Sequence, residues 1–192
     1  MLESKSQLRT KMRAVRDAAV AAQPAGLRAL LFRHPPKAIL DRIASDAVVS
    51  IYSATGNEAP SDAYAAFFAE ARHRVARPFF ADKGSVMEFA VSLDPIGNSD
   101  LEPGPWGALQ PTRSSERVVP DVHFVPLLAF TADGGRLGQG GGHYDRWFGD
   151  NKRSQAFALA WDEQQVERLP LEPHDIAMDA IITPTRIYGP FT

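Results

Sequence analysis

The chain has 192 residues, 44% hydrophobic and 23% charged, with a formal net charge of -2. These values fit one globular domain with a real core and give no bulk electrostatic case for a nucleic-acid or membrane-surface partner. With no cysteine, disulfides, thiolate metal sites and a cysteine nucleophile are excluded. No apolar run approaches the roughly 20 residues of a membrane span, and the N-terminus lacks a signal-peptide apolar block. A cytoplasmic location is therefore expected.

In chain order, "LESKSQLRTKMRAVRDAAVAA" reads as an amphipathic helix, with Ser4 and Gln7 spaced as a capping box. Leu8, Met12, Val15 and Ala19 fall in one stripe, and Lys5, Arg9, Arg13 and Arg16 in a second stripe beside it. Periodicity alone is satisfied by a solvated basic face. Shorter helical patterns follow at Leu27–Arg33 and Lys37–Ala44. "AVVSIYS" is a β-branched strand ending in "TGNEAP", and "SDAYAAFFAEARH" is a helix that Ser61 can cap. Strands "VARPFF" and "VMEFAVSL" flank the turn "ADKGS", and residues 94–120 form a Pro/Gly-rich surface loop carrying "PGPWGALQP". "VHFVPLLAF" is a continuous apolar run, as for a strand covered on both faces. A glycine loop, a helix near Tyr144–Phe148, strand "QAFALAW", helix "DEQQVERL" and strand "AIIT" complete the chain. Strands alternating with helices predict a single α/β domain over residues 1–192 with a largely parallel sheet.

The glycine loop carries the chemistry. Six of the nine residues from Gly134 to Gly142 are glycine, out of 14 in the chain. A buried strand, a glycine-rich turn and then a helix can cradle an anion: bare backbone lets N–H groups approach, and the helix start adds partial positive charge. Neither G-x-x-x-x-G-K-[ST] nor G-x-G-x-x-G fits, which excludes the common P-loop and dinucleotide fingerprints. A hairpin without a ligand is the competing reading. Arg136 supplies charge beside the cradle. Asp145 fits two roles equally, a magnesium ligand against bound phosphates and a helix-dipole partner.

The stretch "VPLLAFTADGGRLGQGGGHYDRWF" closely resembles the signature of the 5-formyltetrahydrofolate cyclo-ligase family, and "KSQLR", "SIYSATGNEAPSD", "PWGALQP" and "HDIAMDAIITP" resemble further family segments in order. The resemblance implies a three-layer α/β/α sandwich and a reaction in which ATP and Mg²⁺ close 5-formyltetrahydrofolate into 5,10-methenyltetrahydrofolate, releasing ADP and phosphate. It implies that Lys5 and Arg9 reach the ATP phosphates from the first helix, leaving Arg13 and Arg16 as surface residues. Arg136, Leu137, Gly138, Gln139, Gly140, Gly141, Gly142, His143 and Tyr144 would wrap the nucleotide, with Arg136 and Tyr144 nearest the chemistry. Asp145 and Asp175 resemble the family's metal carboxylates; Asp179 reads as structural. Glu58 resembles the pterin-binding carboxylate, and Trp106 is positioned to stack on the folate. The implied partner is a reduced folate, with the chain acting as a monomer.

Three departures stand out. Gln139 occupies a position where many members carry a second arginine, His143 replaces the commoner tyrosine, and "APSD" follows Glu58 where an aliphatic residue and Asp-Thr are expected. The first two bear on nucleotide affinity and the third on folate specificity. A same-fold paralogue acting on another N-formyl or amide substrate, and a nucleotide- or sugar-phosphate-binding module without turnover, are the two other readings. Retention of Asp145 and Asp175 argues against the second.

Overall fold

A computed structural model describes residues 3–28, 30–151 and 154–191. Helix α1 (Lys5–Ala22) is followed by single turns α2 (Ala25–Arg28) and α3 (Lys37–Leu40), strand β1 (Val48–Ile51) and helix α4 (Asp62–Glu70). Strands β2 (Arg74–Phe79) and β3 (Glu88–Val91) precede a hairpin of β4 (Leu101–Pro103) and β5 (Leu109–Pro111), then β6 (Arg117–Val118) and β7 (Val122–Pro126). A second hairpin, β8 (Ala129–Phe130) with β9 (Arg136–Leu137), leads into helix α5 (His143–Asp150) and strand β10 (Gln155–Leu159). A 3-10 turn at Asp162–Gln164 and strands β11 (Ala180–Ile182) and β12 (Ile187–Tyr188) end the chain.

The main sheet has the order β12-β11-β10-β7-β1-β2-β3-β6. Its central strands β11, β10, β7, β1 and β2 are mutually parallel; β3 and β12 run antiparallel to them, and edge strand β6 pairs antiparallel with β3. Alternation along β7 sorts the two faces. Phe124 packs with Phe157 and with Tyr64 and Phe68 of α4, while Val125 packs with Ala156, Ala158 and Phe148 of α5. Helices on both faces of a mainly parallel sheet make the expected three-layer α/β/α sandwich.

The capping box forms as the spacing predicts: Ser4 Oγ accepts from Gln7 N–H, and Gln7 Oε1 accepts from Ser4 N–H. Five local expectations change. Ser61 does not cap α4, because its hydroxyl donates to the Tyr52 carbonyl at 2.6 Å. "VHFVPLLAF" is not one strand: it leaves the sheet at Pro126, which has no N–H to donate, and resumes as β8. The helix expected at Asp162–Leu169 shrinks to a 3-10 turn, because Val166 N–H donates to the Phe130 carbonyl and Val166 and Leu169 turn to pack on Leu8 and Met12. The loop at 94–120 contains the β4–β5 hairpin and edge strand β6. The helical pattern at Leu27–Arg33 is a short turn, and Ala29 within it lies outside the described residues.

From β1 the chain moves through α4 to β2 on one side, whereas β7 lies on the other side of β1 and leads on to β10. The gap between the carboxyl ends of β1 and β7 is therefore a topological switch point, where open α/β sheets bind ligands.

Candidate active site

A cavity of about 910 Å³ opens at that switch point. Tyr52 and Ser53 after β1, Phe80 after β2 and Pro126 ending β7 form its floor. The glycine loop, the start of α5, the N-terminal turns of α1, residues 172–175 and the β4–β5 hairpin supply its walls.

The basic stripe on α1 is not a solvated face. Lys5 Nζ lies 2.7 Å from Asp175 Oδ2 and 2.7 Å from Glu172 Oε2. Arg9 Nε donates to the Gly138 carbonyl at 3.0 Å, and Arg13 Nη2 to the Gln139 carbonyl at 3.2 Å. Successive turns of one helix therefore grip the glycine loop and the 172–175 segment together. Arg13 is exposed, as expected of a surface residue, and also contacts the loop. Arg16, also read as a surface residue, is buried, with its guanidinium 3.8 Å from Asp17; at the sequence level nothing distinguishes it from its neighbours in the stripe.

The loop itself is built for close approach. Gly140 (φ +112°) and Gly142 (φ +63°) adopt backbone conformations that L side chains rarely reach. Gly142 occupies the position before α5 and offers no capping side chain, so the first-turn N–H groups of α5 remain open to an anion. Leu137 is a correction of kind. Its side chain is core, packed with Leu8, Met12 and Ala129, and only its backbone borders the cavity.

Arg136 is buried, and its Nη2 pairs with Asp145 Oδ1 at 2.7 Å. The same oxygen accepts the Ile176 N–H at 3.3 Å, which brings the residue after Asp175 beside Asp145. No donor among the described residues contacts Asp145 Oδ2. An anionic oxygen without a partner beside an open phosphate cradle suits a magnesium ligand, since Mg²⁺ needs one or two carboxylates and completes its shell with phosphate and water. The residues present thus fit both nucleotide phosphates and a hard cation. Glu172, His174 and Asp175 bring their ligand atoms within 4.8 Å of one another. Asp145 stands outside that group, and Lys5 neutralises two of its members. Burial lowers the Lys5 ammonium, but the hydrogen bonds to Asp175 and Glu172 outweigh it and hold the group above its ordinary value. Burial pushes Asp175 up, yet Lys5 and the Glu172 N–H leave it below the usual carboxylate range.

The opposite wall is aromatic. Trp106, half exposed at the β4–β5 turn, meets Phe80 edge-on at 4.6 Å and His143 at 5.1 Å; Phe80 and His143 lie 4.8 Å apart. Gln110 fixes the hairpin to Phe80 through both ends of its amide, at 3.0 and 3.1 Å. The Glu58 carboxylate stands where the two walls meet and accepts from Thr55 N–H at 2.9 Å. Burial drives the Tyr144 hydroxyl well above its ordinary range, against the pull of Arg136. Tyr144 is therefore a donor and a wall, not a base. Burial, then Arg146, lowers the His143 imidazole, which keeps it neutral at physiological pH. Asp179 caps the sheet, accepting Ala156 N–H at 2.6 Å, as a structural residue should.

The sequence model of the 5-formyltetrahydrofolate cyclo-ligase family matches residues 1–184. The chain belongs to that family. A 5-formyltetrahydrofolate cyclo-ligase of Escherichia coli (strain K12) is 43% identical over 70 residues, 35% of this chain and 38% of that protein. One from Haemophilus influenzae is 34% identical over 100 residues, 49% of this chain and 54% of that protein. The matched stretch thus spans only about two fifths to one half of these curated relatives. Whole-chain likeness comes from structure. The Aquifex aeolicus 5,10-methenyltetrahydrofolate synthetase superposes with a TM-score of 0.71 at 26% identity, covering 97% of this chain and 92% of that one. The Mycoplasma pneumoniae 5,10-methenyltetrahydrofolate synthetase shares the fold, with a TM-score of 0.66 at 18% identity, covering 94% of this chain and 98% of that one.

Every residue expected at the family's site borders the one cavity, from Lys5 and Arg9 to Glu58, Trp106, Arg136–Asp145 and Asp175. Sequence reasoning missed Phe80, Arg13, Arg146, Glu172 and His174. Arg146 Nη2 donates to the Gly141 carbonyl at 2.8 Å. Adjacency to Asp145 and Asp175 would have flagged Arg146 and Glu172; Phe80 carries no sequence signal, because it reaches the cavity only through the turn after β2.

Proposed function

We propose that the protein cyclises 5-formyltetrahydrofolate to 5,10-methenyltetrahydrofolate at the expense of ATP, with Mg²⁺, releasing ADP and phosphate. The observation that carries the reading is the juxtaposition, in one cavity, of a glycine cradle lined with cations and an aromatic wall with a carboxylate at its edge. Phosphates need the first and a flat, N–H-bearing pterin the second.

The formyl oxygen is a poor leaving group. It attacks the γ-phosphorus, the bond to the ADP oxygen breaks, and the formyl carbon becomes an activated imidate phosphate. N10 then bonds to that carbon, its proton is lost, and phosphate departs with the oxygen. No nucleophilic side chain is required; the work is positioning and charge neutralisation. Bare amides at Gly140–Gly142, with Arg9 and Arg136, hold and neutralise the phosphates as oriented donors do. Asp145, with Asp175 once Lys5 turns to phosphate, would hold a magnesium ion, whose positive charge would offset that of the phosphates. Glu58 accepts from the pterin N–H groups and the Trp106–Phe80–His143 wall excludes water from its face.

The "APSD" departure does not favour another substrate. Ser61 serves Tyr52, and Asp62 lies 3.4 Å from the buried Arg77, so both are spent on the scaffold. The test is to incubate the protein with 5-formyltetrahydrofolate, ATP and Mg²⁺ and follow the methenyl product by its absorbance. ATP-dependent product is the expected result; ATP binding without product would redirect the search to other N-formyl or amide substrates.

A further inference from the structure

The Gln139 side chain joins the two walls. Arg13 donates to its Oε1 from Nε and Nη2, at 3.3 and 3.2 Å, which fixes the orientation of the amide. Its Nε2 then faces the other way and donates to Glu58 Oε1 at 3.2 Å. Glu58 Oε2 is taken by the N–H and hydroxyl of Thr55, at 2.9 and 3.1 Å. A carboxylate offers roughly four acceptor positions, so three are filled and the remaining one lies on Oε1, beside the Gln139 amide. The same residue's carbonyl is held by Arg13, and its neighbours Gly138 and Gly140 belong to the cradle. Movement of the cradle therefore reaches the Glu58 oxygen through one rigidly oriented amide.

We infer that Gln139 is a positioning residue that couples occupancy of the phosphate cradle to the readiness of Glu58 for a second ligand bearing N–H donors. A phosphate group held by the glycine loop, whose Gln139 is already tied to Arg13, keeps the amide in register, and Glu58 then presents its open position on Oε1 in a single orientation. Coupling is reciprocal, so each ligand tightens the other. One solvent-exposed hydrogen bond of this kind supports a coupling of about three- to tenfold in affinity. That the second ligand is a reduced folate rests on the proposed function; the coupling itself does not.

The test uses the full chain, with Gln139→Glu and Gln139→Ala beside the wild type. Gln139→Glu keeps shape and the acceptor for Arg13 but presents an anion to Glu58. The first readout is the ¹³C signal of the Glu58 carboxyl, assigned by its loss in Glu58→Gln, on titration with Mg²⁺-ADP. With Mg²⁺-ADP raised until each protein is saturated, as followed by calorimetry, the signal is expected to shift in the wild type and to stay still in both variants. The second readout is the affinity for 5-formyltetrahydrofolate with and without Mg²⁺-ADP. The wild type should tighten about three- to tenfold, the variants should lose that gain, and KM for folate should rise further than kcat falls. A Glu58 signal that responds equally in wild type and variants overturns the inference while leaving the cyclo-ligase reading intact. Loss of the response in the variants, in a protein that binds no folate, keeps the inference and overturns the reading.

Discussion

The two walls of the cavity are built on different principles. The polar wall draws its side chains from distant parts of the chain, α1, the glycine loop and residues 172–175, and every cation in it already has a carboxylate or carbonyl partner. The aromatic wall comes from β2, one hairpin and His143, and its rings meet edge to face without charge. The first is electrostatically self-satisfied and ready to exchange partners for phosphate and metal; the second is apolar and shaped for a ring. Substitutions should separate the walls, the polar one governing turnover and nucleotide, the aromatic one folate.

The largest effect is expected at Arg136. Its removal strips charge from the cradle and leaves Asp145 unpaired, so Arg136→Ala should lower turnover by about 10²- to 10³-fold in the methenyl absorbance assay. Turnover within tenfold of wild type would show that the pair is scaffold alone. Asp145→Asn comes next: the Mg²⁺ concentration for half-maximal rate should rise about 10-fold or more, and an unchanged requirement would return this aspartate to a helix-terminus role. Gly142→Ala forces a side chain into a left-handed position (φ +63°), which costs about 1–2 kcal/mol and should weaken binding of a non-hydrolysable ATP analogue. Gly141→Val acts by contact and not through φ, since the positive-φ positions are its neighbours Gly140 and Gly142; its Cβ would meet the His143 ring at 2.6 Å. Trp106→Ala should raise KM for folate by about 3- to 10-fold, the scale of one aromatic contact, with ATP-analogue affinity unchanged. If both ligands weaken equally, the walls are not separate.

The smallest effect on turnover lies beneath both walls. His123 is fully buried, its Nδ1 2.7 Å from Ser50 Oγ, and burial lowers it to about 3. Its stabilisation is complete above the unfolded value near 6.5 and is lost as pH falls toward 3, because the unfolded chain then binds the extra proton. The unfolding free energy from urea titrations should drop by up to about 1.4 kcal/mol per pH unit across that window, and His123→Gln should flatten the slope without changing the rate at neutral pH.

Much of this architecture is legible locally. The Ser4–Gln7 capping box, the β-branched run of β1 and the glycine run before α5 each state their structure within a few residues, because caps, strand propensity and positive φ are short-range properties. Lys5 and Arg9, by contrast, are named only through the family resemblance, since periodicity alone is satisfied by a solvated basic face. What could not be read is where apolar segments go when two partners compete for them. Val166 and Leu169 fit a helix by pattern, but α1 offers them a hydrophobic face, and burying them there costs the helix. Pro126 sits inside an apolar run that looks continuous, and only the β8–β9 hairpin shows that the run changes partner.

By itself the sequence determined the α/β class and the glycine-rich turn between a buried strand and a helix, since each follows from periodicity or backbone freedom. Only the tertiary structure decided that Arg13 grips the loop, that Arg16 is buried, that Lys5 bridges Glu172 and Asp175, and that Phe80 and Trp106 form one wall. Charge pairing and ring contact act across a few ångströms of space, between residues up to 170 positions apart, and no local pattern encodes such a distance.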